Sequence, residues 1–90
     1  MEVTHDKTNS SFVIKVDGAS SYVSYNLIDG VIEFYTTYTP PQLRGRGLAE
    51  KVVRAALEYA KENNFKVIPS CSYVRVFIER NPEYKFLTER

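Results

Sequence analysis

Pro40-Pro41-Gln42-Leu43-Arg44-Gly45-Arg46-Gly47-Leu48-Ala49 separates two kinds of periodicity in the chain. Before it apolar residues alternate, as in strands; after it they recur every three or four positions, as in a helix. The stretch therefore joins a strand end to a helix start. Glycines at 45 and 47 remove bulk where backbone N–H groups must turn toward one point. The helix start adds unpaired donors and partial positive charge, a combination that suits a phosphate or pyrophosphate. Arg44 and Arg46 add charge at the rim, or are simply solvated. A helix entered through a flexible glycine turn is the plainer reading of the same residues.

On the N-terminal side, Phe12, Ile14 and Val16 alternate with Val13 and Lys15, and Asp17-Gly18 supplies a pair that tolerates positive φ in a tight turn. Residues 22 to 28 put Val23, Tyr25 and Leu27 on one face and end at a second such pair, Asp29-Gly30. Residues 31 to 39 form a third strand, with Ile32 and Phe34 toward the core and Glu33 and Tyr35 outward. The three make an antiparallel meander. Residues 1 to 10 are polar and expected to be loosely held.

On the C-terminal side, Ala49, Val52, Val53, Ala56, Leu57 and Ala60 define the buried stripe of a helix, with Glu50, Arg54 and Glu58 as an exposed row. Asn63-Asn64 suits its exit, and residues 65 to 69 read as a short buried strand. Strand, crossover helix and strand make a right-handed parallel unit, so the sheet is mixed. A second helix begins near Ser70 or Ser72, either of which can cap it, buries Val74, Phe77 and Ile78, and ends before Asn81-Pro82. Residues 83 to 90 are left as a tail.

Ninety residues, 43% hydrophobic and 26% charged, make one globular domain, residues 1 to 90. The lone cysteine, Cys71, has no partner for an intramolecular bridge, and no metal is expected. The first residues lack the apolar core of a signal peptide, and no apolar run approaches the ~20 residues that span a bilayer, so a soluble cytoplasmic protein away from membranes is expected. A net charge of +1 gives no field for nucleic acid. A nucleic-acid binder using Arg44, Arg46 and exposed tyrosines is a remote alternative. The glycines are not followed by Lys-Ser or Lys-Thr, as a nucleotide P-loop requires, and Glu50 stands where a dinucleotide fingerprint wants a small residue.

The segment resembles motif A of the GNAT superfamily of N-acetyltransferases: Gln or Arg, two residues, Gly, one residue, then Gly or Ala, filled by Gln42, Gly45 and Gly47. The likeness is closer to the short single-domain GNAT-like proteins. It runs from about residue 32 to 84 and includes Pro69-Ser70-Cys71-Ser72-Tyr73-Val74 and Asn81-Pro82-Glu83-Tyr84. It implies an α+β fold: a three-stranded antiparallel meander, a strand-helix-strand crossover and a C-terminal helix. It also implies acetyl coenzyme A as co-substrate and an amine acceptor, small molecule or protein, in a monomer or weak dimer. By that resemblance Gln42, Leu43, Arg44, Gly45, Arg46, Gly47, Leu48 and Ala49 form the pyrophosphate loop. Tyr38, Thr39 and Pro40 pair with the pantetheine arm, and Cys71 lies near the thioester. Tyr73 and Phe77 contact the arm or belong to the core, and Tyr22, Tyr25, Tyr35 and Tyr38 share that ambiguity.

Acyl transfer to an amine needs a neutral amine, a proton acceptor and donors for the developing oxyanion. A strand-end N–H near Tyr38 or Thr39 serves as the donor by the same resemblance. The proton acceptor is open. The only histidine, His5, reads as a solvated residue of the N-terminal segment. The small subgroup commonly has His where this chain has Thr36, and larger members use a Glu on this strand where Tyr38 stands. Glu33 lies far from the strand's C-terminal end. Cys71, at a helix start that lowers a thiol pKa, is a packing residue, a lining residue of the acyl pocket, or a nucleophile that carries the acetyl group. A coenzyme A binding module with little or no catalysis is the alternative function.

Overall fold

Both Asp-Gly pairs form the hairpin turns their chemistry predicts, with left-handed φ at Asp17 and Gly18 and again at Asp29 and Gly30. The computed structural model describes residues 2–89; Met1 and Arg90, the ends of the expected loose start and tail, lie outside them. Five strands, β1 (Thr4–Asp6), β2 (Ser11–Val16), β3 (Ala19–Ile28), β4 (Val31–Tyr38) and β5 (Lys66–Pro69), form one sheet in chain order. The first four are antiparallel, and β5 lies parallel to β4 after the crossover through helix α1 (Leu48–Glu62). Helix α2 (Ser72–Arg80) and a 3-10 segment (Pro82–Thr88) complete the chain. This is the expected α+β architecture with a mixed sheet.

One cluster forms the core. Phe12, Ile14, Val23, Ile32 and Phe34 from the sheet meet Val52, Val53, Ala56 and Leu57 of α1 and Val74, Phe77 and Ile78 of α2. Both helices thus cover the same face of the sheet. Leu27, placed in the core by alternation, is 39% exposed, because β3 runs past the helices at that end.

Several expectations fail for identifiable reasons. Strand β5, expected to be buried, is an edge strand with Lys66 and Ile68 exposed and only Val67 in the core. The N-terminal residues are not loose: β1 pairs with β2, and His5 is the residue that holds it. Its ring stacks on Phe12 at 4.1 Å and meets Tyr59 edge-on at 4.5 Å, and its Nε2 is 2.7 Å from the Tyr25 hydroxyl. His5 is therefore not a solvated residue, and its pKa is lowered, chiefly by burial. The C-terminal residues are not a free tail either, since Tyr84 and Leu87 are buried and the Tyr84 hydroxyl donates to Glu58 at 2.7 Å. That contact also corrects the exposed row on α1: Glu58 and Arg54 are half-buried, with the Arg54 guanidinium 5.2 Å from the centre of the Phe77 ring. Finally, neither serine caps α2. Cys71 occupies the N-cap, and Ser70 donates its hydroxyl to Glu33.

Candidate functional site

Strand β4 outruns its parallel partner. The β4–β5 register ends at Phe34 and Pro69, and the Cys71 amide then donates to the Phe34 carbonyl at 2.9 Å. Beyond this point the strands part, and residues 35 to 38 keep only their β3 neighbour. The register also slips within this stretch: Tyr25 pairs with Phe34 and Ser24 with Thr36, leaving Tyr35 as an extra residue. Such a bulge reverses the alternation that follows it. Thr37, which simple alternation from Phe34 would turn outward, instead shares its face with Val23, and its Oγ1 lies 3.4 Å from Cys71 Sγ.

After β4 the chain is pinned twice before α1. Thr39 Oγ1 is 2.7 Å from the hydroxyl of fully buried Ser21, and the Thr39 carbonyl accepts from Arg44 Nε at 3.0 Å. Leu43 and Leu48, each 2% exposed, anchor the loop at both ends in the core. Between them Gly45 and Gly47 sit at φ +82° and +73°, the left-handed region that a side chain strains. The amides of residues 45 to 50 have no hydrogen-bond partner among the described residues; the first α-helical bond back to the loop is Lys51 N–H to the Gly47 carbonyl. Six consecutive donors at the positive end of a helix are therefore free.

All but Arg46 of these residues border a cleft of about 400 Å³. Of the residues singled out in the sequence, Tyr38, Thr39, Leu43, Arg44, Gly45, Gly47, Leu48, Ala49 and Tyr73 line it together. Pro40, Gln42 and Arg46 do not; Gln42 and Arg46 are exposed on the loop's outside. Phe77 is buried and faces a neighbouring hollow between α1 and α2 that shares Glu50 and Tyr73 with the cleft. Cys71 stands behind Thr37 rather than in the cleft wall.

Two lining residues were not foreseen, Thr37 and Glu50. A bulge hides the first from any strand pattern, and the second read as part of a solvated row. Glu50 is 3.7 Å from Arg54. Its charge and, more strongly, burial raise the pKa of Tyr73.

At Cys71, burial raises the thiol pKa, but the Thr37 hydroxyl and the amides of Val74, Tyr73 and Thr37 outweigh it, and the net shift is downward. No capping hydrogen bond of ordinary geometry forms at the neutral thiol. The surrounding dipoles instead favour the thiolate. The site thus combines a helix start with unpartnered amides and, beside Thr37, a thiol whose pKa is lowered.

The chain is similar in sequence and fold to known proteins. Residues 11–87 match the family model described as GCN5-related N-acetyl-transferase. Protein NATD1 of Gallus gallus is 26% identical over 90 residues, spanning 97% of this chain and 82% of that protein, and Protein NATD1 of Danio rerio is 27% identical over the same shares. The solution structure of a GCN5-like protein from Staphylococcus aureus superposes with a TM-score of 0.73 at 30% identity, covering 93% of this chain and 83% of that one.

Proposed function

This chain belongs to the GCN5-related N-acetyltransferase family, and from that membership we propose that it transfers the acetyl group of acetyl coenzyme A to an amine. The observation that carries the reading is the run of six unpartnered amides, residues 45 to 50, of which all but that of Arg46 belong to residues lining the cleft. They suit a pyrophosphate, with Arg44 adding charge at the rim. The unpaired edge of β4 beyond Phe34 suits the amide-bearing pantetheine arm, which brings the thioester to the region of Thr37 and Cys71. There the neutral amine attacks the carbonyl carbon, a C–N bond forms, and the C–S bond breaks. The nitrogen loses a proton, and the departing thiolate takes one up. Backbone N–H groups at the end of β4 stabilise the negative charge that builds on the carbonyl oxygen.

A coenzyme A binding module with little catalysis is the second reading. What favours it is that Glu50, the one carboxylate lining the cleft, is engaged by Arg54. Titration with acetyl coenzyme A, followed by amide NMR and by mass spectrometry for acetyl on an added amine and on Cys71, tests both. Shifts at residues 43 to 50 with amine acetylation support the enzyme, and shifts without it support the module. Unmoved amides overturn both.

A further inference from the structure

Among the described residues, the helices cover only one face of the sheet. On the other, Tyr35, Tyr38 and Ile68 are 48%, 43% and 48% exposed, and the Tyr22 ring packs 5.8 Å from that of Tyr38. Tyr38 also lines the cleft, so the cleft opens onto this bare face. Glu33 lies there too, between the inward residues Ile32 and Phe34, and its carboxylate accepts the Ser70 hydroxyl at 2.5 Å. It has no cation within ion-pair distance, since both ion pairs among the described residues belong to Arg54. The cations flanking this end of β5 are engaged elsewhere. Arg75 donates to the carbonyls of Pro69 and Ser70, and Lys66 to that of Glu89. The carboxylate is exposed and held only by a neutral hydroxyl, so its charge is open to a cationic ligand.

Its position along the strand is informative. Thr37 pairs with Val23 and Glu33 with Asn26, three residues apart on β3, which sets their backbones about 10 Å apart along the sheet. Resting on the acetyl-transfer reading, we propose that the acceptor is a linear alkyl amine with a second cationic nitrogen about 10 Å from the reacting one. The reacting nitrogen enters the split between β4 and β5 from the bare face, and the second ammonium binds the Glu33 carboxylate beside the Tyr35 ring. Thr36, opposite Ser24, and Tyr35 lie along the path of the intervening methylenes, while Tyr22 and Tyr38 stand beyond its reacting end. Glu33 is here a specificity residue with no part in the bond-making step.

The test compares 1,8-diaminooctane and spermidine with 1-aminohexane as acceptors, in the wild type and in Glu33→Gln, which keeps an acceptor for Ser70 and so the local fold. The expected result is at least a tenfold higher kcat/KM for the diamines. Glu33→Gln should erase that preference through KM, leaving kcat and acetyl coenzyme A affinity unchanged. Equal use of monoamine and diamine, or a preference that survives Glu33→Gln, overturns the proposal. If no amine is acetylated although acetyl coenzyme A shifts residues 45 to 50, spermidine titration separates the two ideas. Shifts at Glu33, Tyr35 and Ser70 that vanish in the variant sustain the site and sink catalysis, whereas no shifts there sink the site.

Discussion

The two helices begin in opposite ways, although neither has a conventional cap. At α1 the N-cap is Gly47, which has no side chain to offer, and the amides behind it face an open cleft. At α2 the N-cap is Cys71, whose own sulfur takes up the field of the amides of Tyr73 and Val74. Helix dipoles of the same sign thus meet two surroundings: one faces open space, which on the proposed function suits a ligand's charge, and the other acts on a thiol of the chain itself. A glycine N-cap costs only about a few tenths of a kcal/mol against Ser, Thr or Asp. Leaving the amides of α1 without a side-chain partner is therefore cheap for the fold.

The largest effect should come from filling the open start. Gly47→Glu places a carboxylate at the free amides and forces a left-handed φ on a residue with a side chain. Affinity for acetyl coenzyme A should fall roughly 100-fold or more by calorimetry, while the strain lowers stability by only about 1–2 kcal/mol. Unchanged affinity would remove the loop from the site and with it the contrast between the helices. A smaller effect follows from Arg44→Ala, which takes one charge from the rim and releases the Thr39 carbonyl. Binding should weaken about tenfold, the worth of one charged hydrogen bond, with a shallower dependence on salt. Equal weakening at all salt concentrations would assign Arg44 to holding the loop alone.

The α2 start should respond more mildly. Because the neutral thiol makes no ordinary capping bond, Cys71→Ala should lower stability by only about 0.5 kcal/mol in urea titrations, and Cys71→Ser, with a better capping group, should be at least as stable as the wild type. Turnover should persist in Cys71→Ala, since the amine attacks the thioester directly. Loss of turnover in Cys71→Ala but not in the equally folded Thr37→Val, together with acetyl found on Cys71, would instead make the sulfur a carrier.

Much of this contrast could be read from residues alone. Gln42, Gly45 and Gly47 mark the loop, and the change from period two to period 3.6 around it places a helix start at its end. The meander was legible because Asp17-Gly18 and Asp29-Gly30 are local turn chemistry. What was not legible depends on contacts distant in sequence. His5 is polar by type and becomes a strand anchor only because Phe12, Tyr25 and Tyr59 assemble around it. Thr37 reaches Cys71 because the bulge at Tyr35 reverses the alternation, and Ser70 stands one residue before the N-cap of α2 with its hydroxyl on Glu33. Periodicity cannot carry such information, since each case turns on the neighbouring strand.

The finest test of the contrast is Thr37→Val, which keeps the shape of the side chain and removes the one hydroxyl that touches the sulfur. Burial, the largest single influence on Cys71, then meets only the amides of Val74, Tyr73 and Thr37, so the thiol pKa should move back up toward 9.0. The rate of alkylation by iodoacetamide near neutral pH should drop severalfold, because it follows the thiolate fraction. Stability gives an independent sign. With the folded pKa depressed, the unfolded chain binds more protons between that value and 9.0, so the wild type gains stability as pH rises through this window and loses it as pH falls through the folded pKa. In Thr37→Val the gain should shrink. An alkylation profile identical to that of the wild type would mean that the dipole of α2 alone acidifies the thiol, and the two helix starts would then differ only in whether a side chain happens to stand in front of them.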